Sequence, residues 1–167
     1  MKPSIGVPAG ETVAPADDQT IISPKRGEAL RLLGSVAEKA LALGNPESAE
    51  RLLNNGLNEI ASDVRNGKDI SAESVELAAR FAARLASGTG KGSWGDYVVA
   101  LYARRKELPP SPIVDELYVA ARKMRGFDLA ALRAYLGDLK NRATSMTPTE
   151  RFVMQRLDGL EKLLATR

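Results

Sequence analysis

From about residue 27 onward, apolar residues recur at steps of three and four, the spacing of one face of an α-helix. The first segment runs over 27–43, with Leu30, Leu33, Ala37 and Leu41 on one face. Gly44 stops it, Asn45 is a strong N-cap, and Pro46 suits the first position of a new helix. That second helix carries Ala49, Leu52, Leu53, Leu57, Ile60 and Val64, and Asn66-Gly67 ends it. Two helices joined by so short a turn pack antiparallel. Ser71 caps a third helix, whose face of Val75, Ala78, Ala79, Ala82 and Leu85 is mostly small, with Phe81 to fill a wider gap. The cluster 88–92 breaks the pattern. Ser93 and Asp96 then form a candidate capping box for a fourth helix with Trp94, Val98, Leu101 and Tyr102, ended by Pro109-Pro110.

Ser111-Pro112 opens a fifth helix, with Ile113, Leu117, Ala121 and Met124 inward and Gly126 closing it. Asp128 caps a sixth, in which Leu129, Leu132, Leu136 and Leu139 line up. Thr147-Pro148-Thr149-Glu150 is a capping box with proline at the first helical position, leading into Val153, Leu157, Leu160 and Leu164. Helices one, three and five start near residues 28, 72 and 112, a step of about 40 that matches stacked helical hairpins. No segment alternates with a two-residue period. The expected fold is therefore all-α: about seven antiparallel helices stacked as helical hairpins, a small α-solenoid over residues 27–167.

Residues 1–26 differ in kind. Pro3, Pro8, Pro15 and Pro24 stand among small and polar residues, with few large apolar ones. Such a stretch cannot bury enough surface to offset its ordering entropy, so a disordered tail or linker is expected. Thr20 and Ser23 could accept a phosphate there, or could simply be solvated residues.

Composition removes several chemistries. The 167 residues contain no Cys and no His, which excludes disulfides, thiolate zinc sites, a Ser-His-Asp triad and an imidazole base. Carboxylate catalysis needs two acids facing one cleft. The adjacent pair Asp115-Glu116 points about 100° apart on a helix. We therefore expect no enzyme, no cofactor and no metal site. With 24 basic and 21 acidic residues the net charge is +3, too small for strong long-range attraction to phosphate or anionic lipid. No apolar run approaches the roughly 20 residues of a membrane span, and residues 1–10 lack the apolar core of a signal peptide. A cytoplasmic protein without membrane contact is expected.

Three features invite a functional reading. The run Gly88-Thr89-Gly90-Lys91-Gly92-Ser93 looks like a phosphate loop, but lacks the GK[ST] ending and the preceding strand. It reads as a helix-ending loop. Arg104-Arg105-Lys106 and Arg122-Lys123-Arg125 are the densest basic clusters. Cations at helix C-termini already meet a favourable dipole, and the functional alternative is binding of nucleic acid or a phosphorylated partner. That alternative needs all six on one face. Trp94, Tyr97 and Tyr102 are either core aromatics or exposed anchors for a partner.

The stretch Leu33-Gly34 through Ala37, then 40–53 with Gly44 at the turn and Ala49 early in the second helix, resembles tetratricopeptide hairpins. The other hairpins match poorly and exceed that family's 34-residue unit. More broadly, 25–30, 89–98 and 114–118 are similar to the helical region that follows forkhead-associated domains in myxobacterial signalling proteins. That resemblance implies an association with phosphorylation-linked signalling and carries over no phosphothreonine-binding residue. The expected function is a non-enzymatic scaffold or adaptor that binds a protein or peptide, with Trp94, Tyr97 and Tyr102 as candidate contacts.

Overall fold

Helix starts in this chain follow the capping residues closely. In the computed structural model, which describes residues 28–166, the fold is all-α. Helix α1 covers 28–42, followed by α2 (Pro46–Arg65), α3 (Ala72–Thr89), α4 (Gly92–Arg105), α5 (Ser111–Ala121), α6 (Leu129–Asn141) and α7 (Pro148–Ala165). A short 3-10 turn (Ala143–Ser145) precedes α7. The expected tail 1–26, with Thr20 and Ser23, lies outside the described residues. Asn45 caps α2, Ser71 caps α3 and Asp128 caps α6, each side chain accepting the N–H three residues on. Thr147 and Glu150 complete the reciprocal box at α7.

The start of α4 departs from expectation. Ser93 is not its cap: the helix opens at Gly92, and Lys91 in the capping position makes no side-chain cap bond. The Gly92 N–H instead donates to the Arg125 carbonyl at 2.7 Å, within an isolated parallel bridge of Lys91 and Arg125. Backbone from the α5–α6 loop thus takes the first N–H of the helix in place of a capping side chain. A Cβ on Gly92 would lie 2.4 Å from the Phe127 amide nitrogen, so only glycine permits this approach. Asp96, the other half of the expected box, accepts the Asp128 N–H at 2.8 Å. The fifth helix also ends earlier than expected, at Ala121, while Met124 stays buried in the turn beyond.

Packing follows from α3. Ala78, Ala79, Ala82, Ala83 and Ala86 are all fully buried along it, and such small side chains let neighbouring backbones come close. α3 touches α2, α4 and α5; α2 touches α4, α4 touches α6, and α7 touches α5 and α6. α1 joins α3 where Phe81 fills the space beside Gly34, and salt bridges Arg31–Glu73 and Arg84–Glu38 flank that contact at 3.8 Å. Leu30 lies over Gly56 of α2. Three tyrosines tie elements further along the chain: Tyr97 donates to the Leu57 carbonyl, Tyr118 to Arg156 and Tyr135 to Glu107.

The face of α1 needs correction. Leu30 and Ala37 are buried, but Leu33, expected beside them, is 39% exposed. Leu32, Val36 and Leu43 are still more exposed. The Gly34–Phe81 contact fixes the rotation of α1 and leaves this second apolar stripe outside.

Gly34→Ala tests that contact. Alanine favours a helix over glycine by about 1 kcal/mol. The new Cβ, however, would lie 2.0 Å from the Phe81 ring tip, and overpacking of that kind costs about 1–3 kcal/mol. Urea denaturation should show net destabilisation, and Gly34→Ala with Phe81→Leu should cost less than the two single changes added together.

Candidate functional site

Three hydrogen bonds align α2 and α4 in the same direction. The Trp94 indole N–H donates to Glu50 at 2.7 Å, the Tyr97 hydroxyl to the Leu57 carbonyl, and the Arg104 guanidinium to the Arg65 carbonyl at 2.9 Å. Residues at steps of three and four on α4, namely Ser93, Asp96, Tyr97, Ala100, Leu101 and Arg104, therefore run alongside Asn58, Ala61, Val64 and Arg65 of α2. Between them lies a groove of about 540 Å³. That volume falls in the range of ligand sites.

The groove is electrostatically two-ended. Arg65 and Arg104 stand at one end, where the last carbonyls of α2 also favour positive charge. Asp96 stands toward the other, beside Ser93 and Asn58. Burial raises the Asp96 carboxyl above its ordinary value, and the neighbouring Asp128 charge adds to this against the hydrogen bond from the Asp128 N–H. Ala61 and Ala100 leave the middle shallow and apolar, with the Tyr97 ring as a wall. Burial also pushes the Tyr97 phenol up, so it stays neutral and keeps donating to Leu57.

Below the acidic end, Glu50 forms the joint between α2 and α4. Its carboxylate accepts the Trp94 indole N–H and two bonds from the Lys91 ammonium, at 2.9 and 3.1 Å. Burial alone would raise the Glu50 carboxyl, but the hydrogen bonds from Lys91 and Trp94 and the charges of Lys91 and Arg51 outweigh it and hold it below 4.5. The amides of residues 90–92 are engaged within the fold. Gly90 donates to Ala86, Lys91 to the Thr89 hydroxyl and Gly92 to Arg125, so these amides do not converge on a phosphate.

The candidate aromatics separate. Trp94 and Tyr102 are buried, which is the core alternative of the two, and neither ring is placed to contact a partner. Tyr97, half-buried, is the one of the three that lines the groove. Comparison with known proteins finds no matching family model, curated protein or solved structure.

The basic clusters separate as well. Arg122, Lys123 and Arg125 lie at the Lys91–Gly92 end of α4, because Arg125 pairs with that end. Arg104, Arg105 and Lys106 lie at its other end, about 20 Å away for 14 residues at 1.5 Å each. The six do not make one patch. Arg105 is engaged by Glu107 and the Ile70 carbonyl, while Lys106 adopts a left-handed conformation at φ 57° and its carbonyl accepts from Arg142. Arg65, Asn58 and Ala61 were not candidates from sequence, since only the α2–α4 register brings them beside Tyr97 and Arg104. Among the described residues no cluster of acids is placed to hold a metal ion, and no helix is long and apolar enough to cross a membrane.

Glu50 gives a pH signature. Its carboxyl is lowered in the fold, so it stabilises the protein above about pH 4.5 and that contribution is lost as the pH falls through and below this value. Glu50→Gln removes it at every pH. Urea midpoints at about pH 7 and about pH 3.5 should therefore differ less for Glu50→Gln than for the parent.

Proposed function

We propose that this chain is a non-catalytic adaptor, built as stacked helical hairpins of tetratricopeptide kind, that holds a short extended peptide in the α2–α4 groove. The helix starts at residue 28, Ala72, Ser111 and Pro148 support the repeat, being steps of about 40. So do the contacts between elements two apart, α2 with α4, α3 with α5, α4 with α6 and α5 with α7. The likeness to helical regions after forkhead-associated domains supports a role in bacterial phosphorylation-linked signalling in the cytoplasm.

The observation that carries the binding function is the groove's opposed charge. Asp96 and Arg104 are eight residues apart on one helix, or about 12 Å. An extended chain advances about 3.3 Å per residue, so roughly four residues bridge the two ends. The fitting partner carries a basic side chain at Asp96, an acidic side chain or terminal carboxylate at Arg65 and Arg104, and small apolar residues between. Such charge complementarity fixes direction and register more than it adds affinity.

Titration of fluorescent Lys-Ala-Val-Ala-Glu-type peptides, with scrambled and charge-reversed controls, tests this. Binding should weaken about tenfold or more in Arg65→Glu/Arg104→Glu, which should turn toward basic peptides. Ala100→Trp should fill the groove and remove binding without unfolding the chain. Equal affinity for all peptides, or indifference to these substitutions, would refute the groove as the site.

A further inference from the structure

The first and last helices turn different faces outward. On α1, Gly34 faces Phe81 and Leu30 with Ala37 face the core. At about 100° per residue, Leu32 and Val36 fall on the side opposite Gly34, pointing away from α3. Both are exposed, at 72% and 53%, and Leu33 and Leu43 extend the same apolar surface. On α7, the side opposite buried Val153, Leu157 and Leu160 carries Arg151, Gln155 and Lys162, all exposed, and Asp158 paired with Lys162, while exposed Phe152 and Leu163 lie on one flank of that polar side. Helical rows normally need a polar face at each end to stay solvated. Here α7 has one and α1 does not.

We propose that the α1 face closes on a second copy of this chain, as an antiparallel α1–α1 pair about a two-fold axis between Leu33 and Gly34. Charge placement selects the occupant and its direction. Glu28 and Lys39 are both exposed and are 11 residues apart, three helical turns, so they flank the apolar stripe on the same side. In the antiparallel pair, Glu28 of each copy stands level with Lys39 of the other, twice over. Leu33 then lies beside its own counterpart at the axis, and Leu32 of each copy beside Val36 of the other, both pairs within one residue's rise of level. A parallel pair would set Glu28 against Glu28 and Lys39 against Lys39, which is repulsive. A head-to-tail contact would lay the apolar α1 face on the charged α7 face, so the assembly closes as a dimer and does not extend as a filament. None of these residues lines the α2–α4 groove, so peptide binding and dimerisation stand or fall separately.

Sedimentation velocity of the full chain from about 1 to about 500 µM should show a concentration-dependent dimer. Val36→Glu should make it monomeric with unchanged helix content by circular dichroism. Lys39→Glu and Glu28→Lys should each weaken the dimer about tenfold, and the double exchange should restore it, because both cross-copy pairs reform with inverted sign. A monomer at every concentration overturns the proposal. A dimer that persists in Val36→Glu, or that the double exchange fails to restore, overturns it equally.

Discussion

Everything in this fold depends on how closely its neighbours can approach α3. Five fully buried alanines give that helix little side-chain bulk, so α2, α4 and α5 all reach it. Phe81 supplies a large ring on its α1 side, and Gly34 is the space that accepts it. Because α2 and α4 both settle on α3, they also come together, and their mutual distance is a consequence of the alanines beneath. The groove between them inherits its width from that seam. A larger residue in the seam would alter the site without touching it, since packed interiors transmit changes of volume.

Close approach fixes distance, while the tyrosines fix register. Tyr97, Tyr118 and Tyr135 each donate to a main-chain carbonyl beyond their own helix, two elements away for Tyr97 and Tyr118 and in the α4–α5 loop for Tyr135. Each such bond contributes about 1 kcal/mol net, a modest sum, but its direction allows only one sliding position along the neighbouring helix. Tyr97 divides its side chain between two tasks. Its hydroxyl is committed to Leu57, and its ring is left over as a wall of the groove. Trp94 has no such surplus, because its indole N–H is taken by Glu50 and its ring is buried.

What the sequence disclosed divides along the same line between local and distant. The caps at Asn45, Ser71, Asp128 and Thr147 were legible because each acts within three residues of itself. The start of α4 is not legible in this way, because its partner, Arg125, lies more than thirty residues ahead and leaves no local mark. In α1, Leu30, Leu32, Leu33, Val36 and Ala37 make two overlapping stripes, and only the docking of Phe81 on Gly34 decides which is inside. The basic clusters misled for a similar reason. Sequence gives their density, but the bridge between Lys91 and Arg125 is what sends them to opposite ends of α4.

Joined through α1, two copies would offer the α2–α4 groove twice. A single shallow groove with an alanine floor has little apolar surface to offer a peptide, so its affinity alone would be weak. Pairing changes that arithmetic. A partner with two suitable segments would bind its second site at an effective concentration set by the linker between them, in the millimolar range for short flexible linkers. On these proposals, weak single grooves and a self-associating end would complement each other. The dimer would discriminate for partners that present the motif twice, a selectivity that neither surface confers alone.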